Sequence, residues 1–154
     1  MIVLGVDVET SGLDPAVDVV TELGAVLWCT DSGIPLRLGS MLVQAGEGEK
    51  PLGEEVVKLT GISDGMRQFH GHPLPVVVRQ LVMLMGLAEA VVAHNAPFDR
   101  AFIETMAGKC STVLPRLPWV DTLQDIDWPA GASRKVLGSR GFAYSRFRVN
   151  PFAQ

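Results

Sequence analysis

Apolar residues come in short β-branched runs early in the chain and at helical spacing later. Residues 2–8, Ile-Val-Leu-Gly-Val-Asp-Val, predict a buried strand. Ser11-Gly12-Leu13-Asp14-Pro15 predicts a turn. Residues 19–29 predict a second strand, Asp31-Ser32-Gly33 a turn, and residues 36–44 a third strand. Three neighbouring strands joined by short turns should run antiparallel. Residues 45–53, rich in Gly and Glu, read as a loop, and Glu54 to Leu59 as a short helix stopped by Gly61. From Pro73 to Leu87 the residues Val77, Leu81, Leu84 and Leu87 recur at helical spacing behind an N-terminal proline. Residues 90–93, Ala-Val-Val-Ala, predict a brief buried strand. A helix follows from Pro97 to Ala107, with Phe98, Ala101, Phe102 and Thr105 on neighbouring turns, and Trp119-Val120 predicts a last short strand. Beyond Trp128 the periodicity is weak, and Gly131, Gly138 and Gly141 are scattered through it. Strands first, then helices alternating with strands, predict an α/β fold with a mixed sheet flanked by helices.

Composition narrows the class. A length of 154 residues with 47% hydrophobic and 19% charged residues is that of one folded domain, here residues 1–154, and argues against disorder. Two cysteines, Cys29 and Cys110, are too few for a disulfide scaffold or a cysteine-rich zinc module, and both are expected to be reduced thiols. The apolar N-terminus has no basic residues and is interrupted by Asp7, unlike a signal peptide. No run approaches the ~20 apolar residues of a membrane span. The expectation is a cytoplasmic protein with no membrane contact.

Net charge alone misleads. The total is −4, yet residues 1–127 carry a balance of −9. Residues 128–154 hold Arg134, Lys135, Arg140, Arg146 and Arg148 with no acid. That basic tail is either a solvated segment or a polyanion contact. An acidic body that holds metals can still act on nucleic acid.

Two clusters carry candidate chemistry. Asp7 and Glu9 lie two apart on a predicted strand, so their side chains point to one face. Carboxylates on an apolar strand are costly to bury unpaired, and a divalent cation such as Mg²⁺ or Mn²⁺ suits their oxygens. The plain alternative is that the strand ends near Glu9 and leaves it solvated. The second cluster, His94-Asn95-Ala96-Pro97-Phe98-Asp99, sits where a buried strand hands over to a helix, a frequent ligand site in α/β folds. Asp99 falls in the first helical turn, where a carboxylate also serves simply to complement the helix dipole, and Asn95 also reads as a turn or cap residue.

These stretches resemble the DnaQ-like, or DEDD, 3′→5′ exonucleases, a family that includes bacterial proofreading subunits. Val6-Asp7-Val8-Glu9-Thr10-Ser11-Gly12-Leu13-Asp14 resembles the first motif, and Ala93-His94-Asn95-Ala96-Pro97-Phe98-Asp99 the second. Glu22-Leu23-Gly24-Ala25-Val26, Leu59-Thr60-Gly61-Ile62 and Val120-Asp121-Thr122-Leu123 agree in order and spacing. The resemblance covers about residues 1–125. It implies an RNase H-like fold and hydrolysis of phosphodiester bonds at a DNA or RNA 3′ end, with a polymerase or replisome component as a further partner. It also implies two divalent cations, Mg²⁺ or Mn²⁺. Held ~3.5–4 Å apart, such a pair clamps the attacking and leaving oxygens. By position, Asp7 would bridge both cations, Glu9 would help bind one and Asp99 would support the second. Thr10 would contact the terminal nucleotide, Leu13 would lie near the terminal bases, and Asn95 and Phe98 would shape the nucleotide pocket. Leu13 and Phe98 also read as ordinary core residues.

Other candidates read as structural. Glu22 is expected to be a hydrogen-bonded carboxylate, and His70 and His72, spaced like metal ligands, to lie in a surface loop. His94 is expected to support the site, Asp121 and Thr122 to brace it, and Trp28, Trp119 and Trp128 to pack. One expected element is missing: the family's C-terminal helix with its His-x-x-x-x-Asp motif, which supplies a general base and a fourth carboxylate. No His follows His94 and no Asp follows Asp127. The expectation is an RNase H-like domain lacking its final catalytic helix, with apolar sheet surface exposed. Truncation and natural degeneration both remain open, and the alternative to an exonuclease is a degenerate nucleic-acid- or polymerase-binding module. An internally cutting nuclease is a third reading.

Overall fold

The computed structural model describes residues 1–127. Trp128, the scattered glycines and the basic tail lie outside the described residues. The elements are β1 (Ile2–Thr10), β2 (Val20–Cys29), β3 (Ile34–Leu42), α1 (Glu54–Thr60), α2 (Asp64–His70), α3 (Leu74–Met85), β4 (Ala90–Ala93), α4 (Ala96–Lys109) and β5 (Trp119–Asp121). The strands form one mixed sheet in the order β3-β2-β1-β4-β5. As the short turns require, β1–β2 and β2–β3 are antiparallel, whereas β1–β4 and β4–β5 are parallel. The carboxyl ends of β1, β4 and β5 therefore share one edge.

Alternation along β1 sets the layers. Leu4, Val6 and Val8 are buried and pair with Leu27, Ala25 and Leu23 of β2 on the same face. The buried residues Val77, Val78 and Leu81 of α3 and Phe102, Ile103 and Met106 of α4 join that core cluster. The other face of β1 carries Gly5, Asp7 and Glu9. Gly5 lies beside Val26, whose Cγ1 would stand 2.8 Å from a Cβ added there. Val26 is in turn paired with Leu38 of the edge strand β3, which is 81% exposed. Leu36 is exposed as well, and so is Trp28, which corrects the expectation that Trp28 packs.

Two differences from the sequence reading stand out. Residues 64–70 form a helix, α2, which short length and Gly65 conceal. Its N-terminus is marked by Ser63, whose hydroxyl accepts from the Met66 N–H at 3.2 Å. His70 and His72 are exposed, as the surface reading expects, but the loop part of that reading is corrected. His70 closes α2, and His72 is bridged to Val43, its N–H donating to Leu42 O at 2.8 Å and its carbonyl accepting from Gln44 N–H at 2.9 Å. The third strand also starts two residues earlier than predicted, and Leu36 is an extra residue in it, opposite the Leu27–Trp28 step of β2. Among the described residues no helix is long and apolar enough to cross a membrane.

Candidate active site

The site grows from a difference in strand length. β4 pairs with β1 only along Val3, Leu4 and Gly5. Beyond Gly5, β1 continues without a strand on that side, and its backbone groups need other partners. The chain leaves β4 at Ala93, turns through His94 and Asn95, and starts α4 in that gap. The turn is sharp: Asn95 takes a left-handed conformation, φ 71° and ψ 52°, which Asn tolerates better than most residues. Pro97 then suits the first helical turn.

This geometry delivers Asp99 to β1. Its Oδ1 accepts the Val8 backbone N–H at 3.0 Å, in a buried setting. Asp99 is only 2% exposed. Burial, followed by the negative charge of Asp7, pushes its carboxyl up to about 7, against the opposing effect of hydrogen bonds from the Val8 and Asp99 backbone. Asp121 adds to the upward push. Asp99 thus bonds to β1 across the gap and does not serve only the start of its own helix. Burial and a neighbouring carboxylate outweigh the two backbone hydrogen bonds, an environment common among functional carboxylates.

β5 braces the turn from the other side. Asp121 Oδ1 accepts from the backbone N–H groups of Asn95 and Leu123, both at 2.9 Å. Its own N–H donates to Asp125 Oδ2 at 2.8 Å. Thr122 N–H donates to Ala93 O at 2.9 Å, and the Thr122 hydroxyl lies 2.9 Å from His94 Nδ1. The bracing role expected of Asp121 and Thr122 is thus visible in the backbone bonds they hold.

The remaining candidates divide. Asp7 is exposed and Glu9 half-buried, on one face of β1 as their spacing requires. Glu9 stands directly opposite Glu22, which is half-buried and takes a hydrogen bond from the Ser40 hydroxyl. The Thr10 hydroxyl donates to Gly12 O at 2.5 Å, tying down the loop that presents Leu13. Leu13 is 65% exposed, so the core reading of that residue fails. Phe98 is half-buried against the core, its ring centroid 4.9 Å from that of Phe102. The Asn95 side chain does not cap α4.

The donor set suits a hard cation in kind. It is all carboxylate oxygen, and the repulsion between Asp7 and Asp99 is the condition a divalent ion relieves. In number it is incomplete: among the described residues, no group of three His, Cys, Asp or Glu is placed to hold a metal ion. The residue types are legible in the sequence. The Val8 N–H that anchors Asp99 is not, because a backbone donor leaves no side-chain signature.

A mixed sheet with two antiparallel strands ahead of a parallel half, and carboxylates gathered where the parallel strands end, defines an RNase H-like α/β domain. The RNase_T profile, described as Exonuclease, matches residues 4–128. The PolC-type DNA polymerase III of Listeria innocua is 32% identical over 124 residues, which is 77% of this chain and 8% of that polymerase. Escherichia coli exonuclease I in complex with a dT13 oligonucleotide superposes with a TM-score of 0.71 at 16% identity, covering 83% of this chain and 32% of that one. The zinc-bound form of the E. coli exonuclease I complex with single-stranded DNA gives 0.71 at 16% identity, covering 79% and 28%. At that identity the structural likeness concerns the fold alone. The chain belongs to the exonuclease family of DEDD 3′→5′ type, and it spans 8% of the length of the polymerase it matches.

Proposed function

We propose that this chain is the hydrolytic domain of a 3′→5′ exonuclease that takes the 3′ end of DNA. The observation that carries the reading is the Asp99 carboxylate, buried, bonded to Val8 N–H and raised by the charge of Asp7. Its relatives are DNA polymerases, and one neighbour in fold is described with single-stranded DNA; both favour DNA over RNA. A polymerase is the fitting partner for the same reason.

Asp7, Glu9 and Asp99 would hold two divalent cations, Mg²⁺ or Mn²⁺. Bound there, such ions would act as Lewis acids on the phosphoryl oxygens of the scissile bond. The protein supplies position. β1 sets Asp7 and Glu9 on one face, and Val8 N–H fixes the rotamer of Asp99. Leu13, held out by the Thr10–Gly12 bond, would lie against the terminal base. Phe98, backed by Phe102, would form the floor of the nucleotide pocket, and the Asn95 amide would contact the nucleotide from the β4–α4 turn.

These 154 residues contain no His after His94, so the family's general base is missing from them. General-base catalysis contributes ~10²–10⁴-fold, and slow turnover is the expectation. The incomplete donor set favours a second reading: a module that binds DNA or a polymerase without cutting. A 3′-labelled single strand titrated with Mg²⁺ or Mn²⁺ separates them. Slow release of mononucleotides, abolished in Asp7→Ala, supports the exonuclease. Binding without cleavage, unchanged by that substitution, supports the module. Cleavage of a 3′-blocked strand would instead show an endonuclease.

A further inference from the structure

The loop of residues 11–19 joins β1 to β2 and carries Leu13, whose side chain is exposed. Two bonds close its base: Ser11 N–H donates to Val19 O at 2.9 Å, and Val19 N–H donates to the Ser11 hydroxyl at 3.0 Å. Within the loop one half-buried side chain, Asp18, ties several residues together. Its Oδ1 accepts from the Ser11 hydroxyl at 3.2 Å and its Oδ2 from the Asp14 N–H at 2.9 Å. The Asp18 N–H in turn donates to Asp14 O at 2.7 Å. Asp14 is therefore held at both its backbone donor and its backbone acceptor by the same residue.

Gly12 is held by space. A Cβ added to it would lie 2.5 Å from Asp18 Cγ and Oδ1, and closer still to Oδ2. The Asp18 carboxylate is the end of a side chain, but the bonds on both its oxygens oppose its swinging aside. Leu13 thus stands between two neighbours, Gly12 and Asp14, that a single carboxylate fixes. Asp18 forms no ion pair among the described residues, so its engagement is with this loop. An exposed leucine is not ordered by core packing, and its order must come from the backbone on either side. Order present before binding reduces the entropy that binding costs.

We propose that Asp18 is a positioning residue for the strand: it preorganises Gly12–Asp14 so that Leu13 meets the terminal base in one fixed place. The carboxylate does not touch the nucleic acid and acts through Leu13. The inference rests on the reading of Leu13 as a contact of the 3′-terminal nucleotide, and names what makes that contact rigid.

The test is a double-mutant cycle on the full 154-residue chain. Its readout is the anisotropy of a 5′-labelled oligothymidylate with a free 3′ hydroxyl, titrated in Ca²⁺. Asp18→Asn is the reference, because its amide matches the loss of charge in Asp18→Ala while still reaching Ser11 and Asp14. Leu13→Ala should weaken binding about tenfold. Asp18→Ala should bind at least about fivefold more weakly than Asp18→Asn. With Leu13→Ala already present, the same pair should differ by less than about twofold, since a residue acting through Leu13 has nothing left to position. A purely structural loss would act equally in both backgrounds. Gly12→Ala, which displaces the same carboxylate, should reproduce Asp18→Ala and serves if that variant fails to fold. If Leu13→Ala weakens binding while Asp18→Ala matches Asp18→Asn, or if the two losses multiply, the positioning role is overturned and the nucleotide contact stands. If Leu13→Ala binds as tightly as wild type, or wild type binds no strand, the reading of Leu13 falls and this inference falls with it.

Discussion

The Val8 backbone N–H donates to Asp99 Oδ1 at 3.0 Å, joining the middle of the first strand to the first turn of α4 across 91 residues of sequence. The bond forms because β1 runs past the end of β4. It places a carboxylate in a buried setting beside Asp7, and the costs of that placement can be measured.

The first consequence concerns pH. A free Asp titrates near ~3.9, whereas Asp99 in the folded chain is raised to about 7 by burial and then by Asp7. The folded state therefore binds the proton more tightly than the unfolded state. Its contribution to stability is fully present below pH ~4 and is lost as pH rises through about 7. The penalty at pH 8 is of the order of 4 kcal/mol. Melting temperatures in chelator should fall between pH 5 and pH 8, and Asp99→Asn should flatten that slope. Mn²⁺ competes with the proton, so its stabilising effect should be larger at pH 8. A slope unchanged in Asp99→Asn would place the titration elsewhere.

Removing Asp7 tests the same pair from the other side. Asp7→Ala deletes the second-largest cause of the raised Asp99 carboxyl, and because the side chain is exposed the core packing stays intact. The unliganded variant should be more stable than wild type at pH 8, by about 1 kcal/mol in urea melts. Any divalent-dependent release of nucleotides should drop by at least ~100-fold, since a ligand of the proposed cations is gone. Stability falling together with activity would show that Asp7 is held by favourable interactions that outweigh the repulsion.

Much of this arrangement is legible in the sequence, for physical reasons. Asp7 and Glu9 share a face because strand side chains alternate, and the apolar run around them marks β1. The β4–α4 junction shows in Ala90–Ala93 followed by Asn95 and Pro97. α2 is hidden because seven residues with Gly65 and no apolar stripe carry little helical signal. Arg67 is hidden more deeply. Nothing local distinguishes a fully buried arginine from a solvated one, since its partners Val43 and Glu49 lie about twenty residues away. Leu13 shows the opposite failure, because hydrophobicity alone does not separate a core leucine from one held out on a loop.

The brace from β5 predicts a graded series at the β4–α4 turn. Asp121→Ala would orphan the N–H groups of Asn95 and Leu123, at a cost of about 2–4 kcal/mol. Asn95→Gly keeps the left-handed turn and should melt close to wild type, whereas Asn95→Val should lose at least ~1–2 kcal/mol. If Asn95 also contacts the nucleotide, the Gly variant should bind a single strand more weakly while remaining as stable. Thermal melts and strand titrations on the same samples separate the two effects.

Gly71 offers a test of how α2 is fastened to the sheet. A Cβ built there would lie 2.2 Å from Arg67 O and 2.7 Å from both the Cα and N of Gln44. These are backbone atoms, so no side chain can swing away to make room. Two bonds cross at this point: Gly71 N–H to Arg67 O at 2.9 Å, and Gln44 N–H to His72 O at 2.9 Å. The φ of −73° is ordinary for any residue, so the objection to alanine is space and not conformation. Gly71→Ala should therefore force α2 away from the end of β3 and destabilise the chain by several kcal/mol, well beyond the ~1 kcal/mol typical of point substitutions. Gly48→Ala, with nothing within 4 Å of its Cβ but a φ of 75°, supplies the contrast. It should cost about 1–2 kcal/mol from backbone strain alone. Hydrogen exchange decides the matter. Amides of Gln44 and His72 should lose protection in Gly71→Ala and keep it in Gly48→Ala. Equal protection in the two variants would mean that α2 is held by Arg67 and Glu49 without the close approach at Gly71.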